Sequence, residues 1–200
     1  MTLDLLFLNL TLLGAVKPQE QVFNITVLPT FPPINPVPLQ PKFQYDKFQG
    51  KWYTIAMADS RIRNGKQKGL NMQSVTYMLI QNYNYVVITT MLRGQGCDHW
   101  TRVFFPAHLP GDFIQETISA SHRAIQRFSM RVADTDYDQF AVMAFTQVFK
   151  DRVLFYLTLY GRTKELSPRL KKYFIRYAKY AGLTEDNVVF HTRIEKCISD

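Results

Sequence analysis

A train of short β-rich runs at close spacing, with no helical periodicity between them, narrows the folds open to this chain more than any other feature. After a first run at 51–58, others follow at 74–80, 85–93, 98–105, 113–118, 128–133, 140–148 and 153–160. Turn chemistry separates them, as in Gln81-Asn82-Tyr83-Asn84, Gly94-Gln95-Gly96, Pro106 through Gly111, Asp134 through Asp138 and Lys150-Asp151. The stretch 61–71 is basic, holds Gly65 and Gly69, and reads as a long loop. Consecutive strands joined this tightly form an antiparallel meander that closes into a barrel or packs as a sandwich.

The segment after the last of these strands favours closure. Ser167-Pro168 pairs a capping hydroxyl with proline at the first helical position, and Gly182 is a suitable stop. Between them Leu170, Phe174, Tyr177, Ala178 and Ala181 recur at helical spacing, while Arg169, Lys171, Lys172, Arg176 and Lys179 occupy the other faces. The expectation is one amphipathic helix over about 167–181 packed on the barrel wall, its basic face solvated, followed by a short last strand at 187–191.

Two hundred residues, 46% of them hydrophobic and 20% charged, suit one sizeable core and one domain. Aromatic residues make up 14%, which fits strands and a lined cavity. The formal charge of +8 is spread over scattered Lys and Arg residues with no nucleic-acid motif. It reads as a solvated basic surface that biases the protein toward anionic ligands or cell surfaces, a cell-surface receptor included.

The N-terminal region divides in two. Residues 1–16 carry an apolar stretch too short for a spanning helix of about 20 residues and read as a secretory signal. Residues 17–42 form an extended arm, because the prolines between 29 and 41 remove ladder donors. The folded domain then covers 43–200. No other stretch reaches transmembrane length, so the expectation is a secreted, extracellular monomer with no membrane insertion. Asn24-Ile25-Thr26 is a glycosylation sequon at Asn24; Asn9-Leu10-Thr11 falls inside the signal. Cys97 and Cys197 read either as one disulfide formed in an oxidising compartment or as two buried free thiols.

Several separated motifs now fall into order. Phe48-Gln49-Gly50-Lys51-Trp52-Tyr53 resembles the G-x-W signature that opens the first strand of lipocalins, and Thr135-Asp136-Tyr137 resembles their T-D-Y turn between the sixth and seventh strands. Arg162, after Leu159-Tyr160-Gly161, resembles the arginine of the family's third motif. The helix and the Cys97, Cys197 pair fall where the family places them. The resemblance, from about Pro38 to the C-terminus, implies an all-β fold: an eight-stranded antiparallel up-and-down β-barrel with one C-terminal α-helix on its wall. It implies that Trp52 closes the floor and that Arg162 lies across its indole. Gly50, Thr135, Asp136, Tyr137 and Trp52 are then scaffold, which speaks to fold and little to ligand.

Within the family the likeness is to members that bind ferric siderophores through an arginine and two lysines in the cup. The arginine carries over as Arg102, but the two lysine positions hold Gln147 and Tyr156. Desolvating a trianion needs compensating cations, and one remaining cation suits an amphipathic monoanion such as a fatty acid or retinoic acid. Alternation selects the lining. The strand with Trp100 and Arg102 adds Phe104; a neighbour offers Val87, Thr89 and Met91; later strands offer Phe128, Phe145, Gln147, Leu154, Tyr156 and Tyr160. The other reading of these aromatics is a packed core.

No catalytic constellation is expected, and no cofactor. His99, His108, His122 and His191 are dispersed, without metal-ligand spacing, and read as surface or turn residues. The enzymatic branch of the family works through a free cysteine in the cup, and a tail disulfide would leave none. Three functions stay open: carrier of a hydrophobic monoanion, siderophore-sequestering protein, or extracellular protein-interaction module.

Overall fold

The computed structural model describes residues 37–63, 70–115 and 125–199. The signal segment, Asn24, most of the proline-rich arm, the centre of the 61–71 loop and His122 lie outside the described residues.

A short helix α1 (Tyr45–Phe48) leads into β1 (Gly50–Asp59), followed by β2 (Ser74–Leu79), β3 (Tyr85–Arg93), β4 (Gly96–Pro106), β5 (Asp112–Gln115), β6 (Ile125–Thr135), β7 (Phe140–Phe149) and β8 (Val153–Gly161). Helix α2 (Pro168–Tyr180) and β9 (Val188–Phe190) complete the order. Each strand from β2 to β7 pairs antiparallel with the next, and β1 pairs with both β8 and β2. The eight-stranded barrel is therefore closed, which removes the free edges an open sheet would present. Strands β4 and β6 run beyond the expected limits, because their outer residues still find ladder partners. Helix α1 was not expected.

Strand β1 carries the closure. One edge pairs with β8 from Tyr53 to Asp59; the other pairs with β2 only from Gly50 to Tyr53 and then with β9 at Ala56–Ala58. A bulge between Thr54 and Ala56 shifts its register against β8. Most of β1 is buried because both faces are covered, one by the barrel interior and one by α2.

Helix α2 begins as its sequence dictates. The Ser167 hydroxyl accepts from Leu170 N, Pro168 fills the first turn, and Gly182 turns the chain at φ +89°. Phe174, Ala178 and Ala181 are fully buried against Ile55, Ala56, Leu157 and Leu159 on the outer wall. Each large side chain buried there contributes about 1.5–3 kcal/mol of transfer free energy. A second, aromatic core lies inside the barrel. Cys97, at the start of β4, is bonded to Cys197 in the tail, with the Cα atoms 5.3 Å apart.

Candidate ligand-binding cup

The barrel has a closed end and an open end. Trp52 is fully buried at the closed end, and its indole N–H donates to Phe48 O at 2.9 Å. Arg162 lies over the ring, Cζ 3.6 Å from the centroid. Its guanidinium donates to Tyr137 O, Lys51 O and Lys47 O at 2.9–3.0 Å, joining three separate segments. Gly50 is required beside it: the backbone sits at φ +94°, and a Cβ would stand 3.1 Å from the guanidinium. The Thr135-Asp136-Tyr137 turn is built by its own side chains. The Thr135 hydroxyl donates to Phe140 O and accepts from Tyr137 N, while Asp136 Oδ1 accepts from the Asp138, Gln139 and Phe140 amides. Phe43, Phe48, Tyr85 and Phe113 pack at steep angles to one another beneath.

Above this floor lies a cavity of about 200 Å³. Of the residues expected from alternation, the structure gathers Val87, Thr89, Trp100, Arg102, Phe104, Phe128, Phe145, Gln147, Tyr156 and Tyr160 around it. The register explains why: Val87 pairs with Arg102, Thr89 with Trp100, Phe128 with Gln147 and Phe145 with Tyr156, so each opposed pair shares the inner face. Met91 and Leu154 keep that parity but lie two residues nearer the rim than Thr89 and Tyr156, and they are not among the lining residues.

Arg102 is the cation among the described residues of the lining. Its Cζ stands 5.3 Å from the Trp100 ring and 5.5 Å from the Phe128 ring, and it has no acidic partner among the described residues. Arg61 near the rim is different, because it is neutralised by Asp59, whose carboxylate accepts from it at 2.5–3.1 Å. Burial raises the Tyr156 phenol above its ordinary range and pushes Tyr160 up to about 12, so both remain neutral hydrogen-bonding groups. Tyr77 is shifted the same way, and its hydroxyl contacts Tyr160 Oη at 3.5 Å.

Alternation missed one side of the cavity. Thr54, Met57, Asn71, Gln73 and His191 also line it, as does Thr158, which shares its strand face with Tyr156 and Tyr160. The bulge in β1 brings Thr54 and Met57 to the same face although they are three apart, and the expectation for His191 as a surface or turn residue is corrected. His191 is part-buried, with Nδ1 2.9 Å from Thr54 Oγ1 and burial holding its pKa down to about 4. His99 and His108 are exposed.

The disulfide occupies both cysteines of the chain, so no thiol is free. Among the described residues no helix is long and apolar enough to cross a membrane.

Comparison with known proteins agrees with this geometry. The Lipocalin / cytosolic fatty-acid binding protein family matches over residues 49–195. The chain is 40% identical over 200 residues, all of both chains, to neutrophil gelatinase-associated lipocalin of Rattus norvegicus. It is 40% identical over 198 residues, 99% of each chain, to the Homo sapiens protein of the same name. It is also 32% identical over 165 residues to prostaglandin-H2 D-isomerase of Mus musculus, covering 81% of this chain and 85% of that one.

Proposed function

The chain belongs to the lipocalin family, and on that footing we propose that it is a secreted, non-enzymatic carrier holding an amphipathic monoanion, retinoid or fatty-acid-like, in its cup. The observation that carries this reading is Arg102, a guanidinium set between Trp100 and Phe128 with no acidic partner among the described residues. A cation kept in an aromatic wall without a counter-ion favours an anionic ligand group, and charge-assisted contacts there are stronger than neutral ones. One such cation balances one negative charge. The disulfide supports an oxidising compartment, and its use of both cysteines supports a carrier over a thiol enzyme.

Cavity size bears on the ligand's shape. About 200 Å³ exceeds what encloses a benzene-sized guest but falls below the roughly 300–1,000 Å³ of sites that bury drug-sized ligands. A chain or a narrow polyene, one end enclosed and the rest leaving through the mouth, suits that volume. A ferric siderophore is the second reading, favoured by the 40% identity to neutrophil gelatinase-associated lipocalins and by Arg102 beside Trp100. Against it stand Gln147 and Tyr156, neutral groups where the resemblance would need cations. An open cavity, in place of a packed one, weighs against a pure interaction module.

Quenching of Trp100 fluorescence separates these readings, since Trp100 lines the cup and Trp52 is fully buried in the floor. Parallel titrations with retinoic acid, a long-chain fatty acid and a ferric catecholate are expected to give saturable quenching by the lipids, weakened in Arg102→Ala. Quenching by the iron complex alone overturns the carrier reading in favour of the siderophore.

A further inference from the structure

The basic residues of helix α2 fall into two groups. Lys171 is paired with Glu165 at 3.8 Å and Lys179 with Glu185 at 2.9 Å. Arg169, Lys172 and Arg176 are exposed, and no carboxylate among the described residues lies within ion-pair distance of any of them. Spaced three and four apart, the three share one stripe of the helix, where like charges repel. Arg169 also stands in the first turn, which holds no acidic residue, so its charge opposes the positive end of the helix dipole. Helix stability alone favours acids there, so the stripe is a local conflict that the helix itself does not offset.

The stripe borders an open hollow of about 530 Å³ on the outer face of α2. Pro168 and the half-buried Ile175 give it apolar surface, extended by the methylene stem of Lys172. Glu185 is the acid at its edge, and Lys179 already neutralises it. The hollow thus combines apolar surface with three uncompensated positive charges. Arg169 and Arg176 also line a second hollow, which holds Asp134 and Asp136. Charge is therefore positive on the Ile175 side of the two arginines and mixed on the other, which gives the face a polarity.

We propose that the Ile175 hollow docks an acidic segment of a partner protein, whose aliphatic or aromatic side chain lies against Pro168 and Ile175 while flanking carboxylates pair with Arg169, Lys172 and Arg176. Charge complementarity selects an acidic partner, and the apolar surface selects a polypeptide among acidic partners. A sulfated polysaccharide uses the cations and leaves Ile175 bare. A bilayer takes up the apolar face of a basic helix, but Phe174 and Ala178, the apolar face here, are already buried on the barrel wall. Docking on the outside of the barrel leaves the cup open, so the proposal does not depend on what the cup holds.

The test is fluorescence anisotropy of the full chain with a labelled nonapeptide of Asp and Glu around one central Leu. Its comparison probes are the same peptide with central Ala, a heparin octasaccharide, and vesicles of phosphatidylserine and phosphatidylcholine. The Leu peptide is expected to bind saturably and about tenfold tighter than the Ala peptide, as partial burial of the larger side chain implies. Lys172→Glu with Arg176→Glu should weaken it about tenfold or more. Arg127→Glu with Lys150→Glu makes the same change in net charge at two exposed positions elsewhere and should leave binding within about twofold. If the first pair does not fold, Lys172→Gln serves, with an expected weakening of about threefold. Equal affinity for the Leu and Ala peptides, equal loss in the two charge-reversed proteins, or no saturable peptide binding overturns the proposal. Tighter binding of the heparin fragment or the vesicles, erased by the same reversal, also overturns it and assigns the stripe to a polysaccharide or a membrane.

Discussion

The barrel uses the same pair of residues twice, to opposite ends. In the floor Arg162 lies 3.6 Å above Trp52 and donates to three backbone carbonyls; in the cup Arg102 stands 5.3 Å from Trp100. The floor pair has a fully buried indole under a part-buried arginine, whereas Trp100 is 37% exposed. An arginine with all three nitrogens donating to backbone carbonyls is a rivet. One that meets only ring faces among the described residues keeps its hydrogen-bonding capacity for something else. The proposed function therefore sets ligand binding at one end of this barrel and stability at the other, a division that substitutions at each end can test.

The largest effect should come from the covalent tie between the open end and the tail. Replacing both Cys97 and Cys197 by serine releases a link spanning a sequence separation of 100 and should lower unfolding free energy by about 4 kcal/mol in urea titration. A much smaller loss would mean that the floor alone holds the barrel closed. Next, Arg162→Ala removes three hydrogen bonds and a cation–π contact, for an expected loss of about 3 kcal/mol by the same measurement. Lys in its place should not restore it, since an ammonium cannot reach three carbonyls in one plane.

His191 gives an intermediate effect with a defined sign. Burial holds its folded pKa down at about 4, below the roughly 6.5 of an exposed imidazole, so the unfolded chain takes up the proton first. Its contribution is complete above about pH 6.5 and is lost as pH falls through the folded value, for a total of about 2–3 kcal/mol. His191→Gln should flatten that part of the stability profile relative to wild type. The smallest effect is the most telling. Arg102→Ala should change unfolding free energy by no more than about 1 kcal/mol, because only ring-face contacts, and no hydrogen bond or ion pair among the described residues, are lost. A loss as large as that of Arg162→Ala would place both arginines in the scaffold and end the contrast.

The two regions also differ in how far the sequence disclosed them. The floor was legible because Gly50-Lys51-Trp52 and Thr135-Asp136-Tyr137 are contiguous motifs acting through local backbone geometry, and Arg162, which ties distant segments together, follows them in the order that the family resemblance requires. The far wall of the cup was legible through period two, which brought Val87, Arg102, Phe128 and Tyr156 to one face. The near wall was hidden for two physical reasons. A bulge at Thr54 and Ala56 breaks the alternation without leaving a residue signature, and His191 reaches the cavity only because β9 lies along β1 where β2 has departed. That pairing joins residues far apart in the chain, which no local pattern encodes. Met91 and Leu154 err in the other direction, since parity fixes a face but not a depth.

Whether Arg102 is a cation reserved for the ligand is decided by a double-mutant cycle between its guanidinium and the ligand's carboxylate: the free acid and its methyl ester, each titrated calorimetrically into wild type and Arg102→Ala. A reserved cation should give a coupling energy of about 1.5–3 kcal/mol, with the acid losing affinity in the variant and the ester little changed. A coupling near zero, with both ligands losing affinity equally or neither losing any, would refute that role and return Arg102 to the wall as packing.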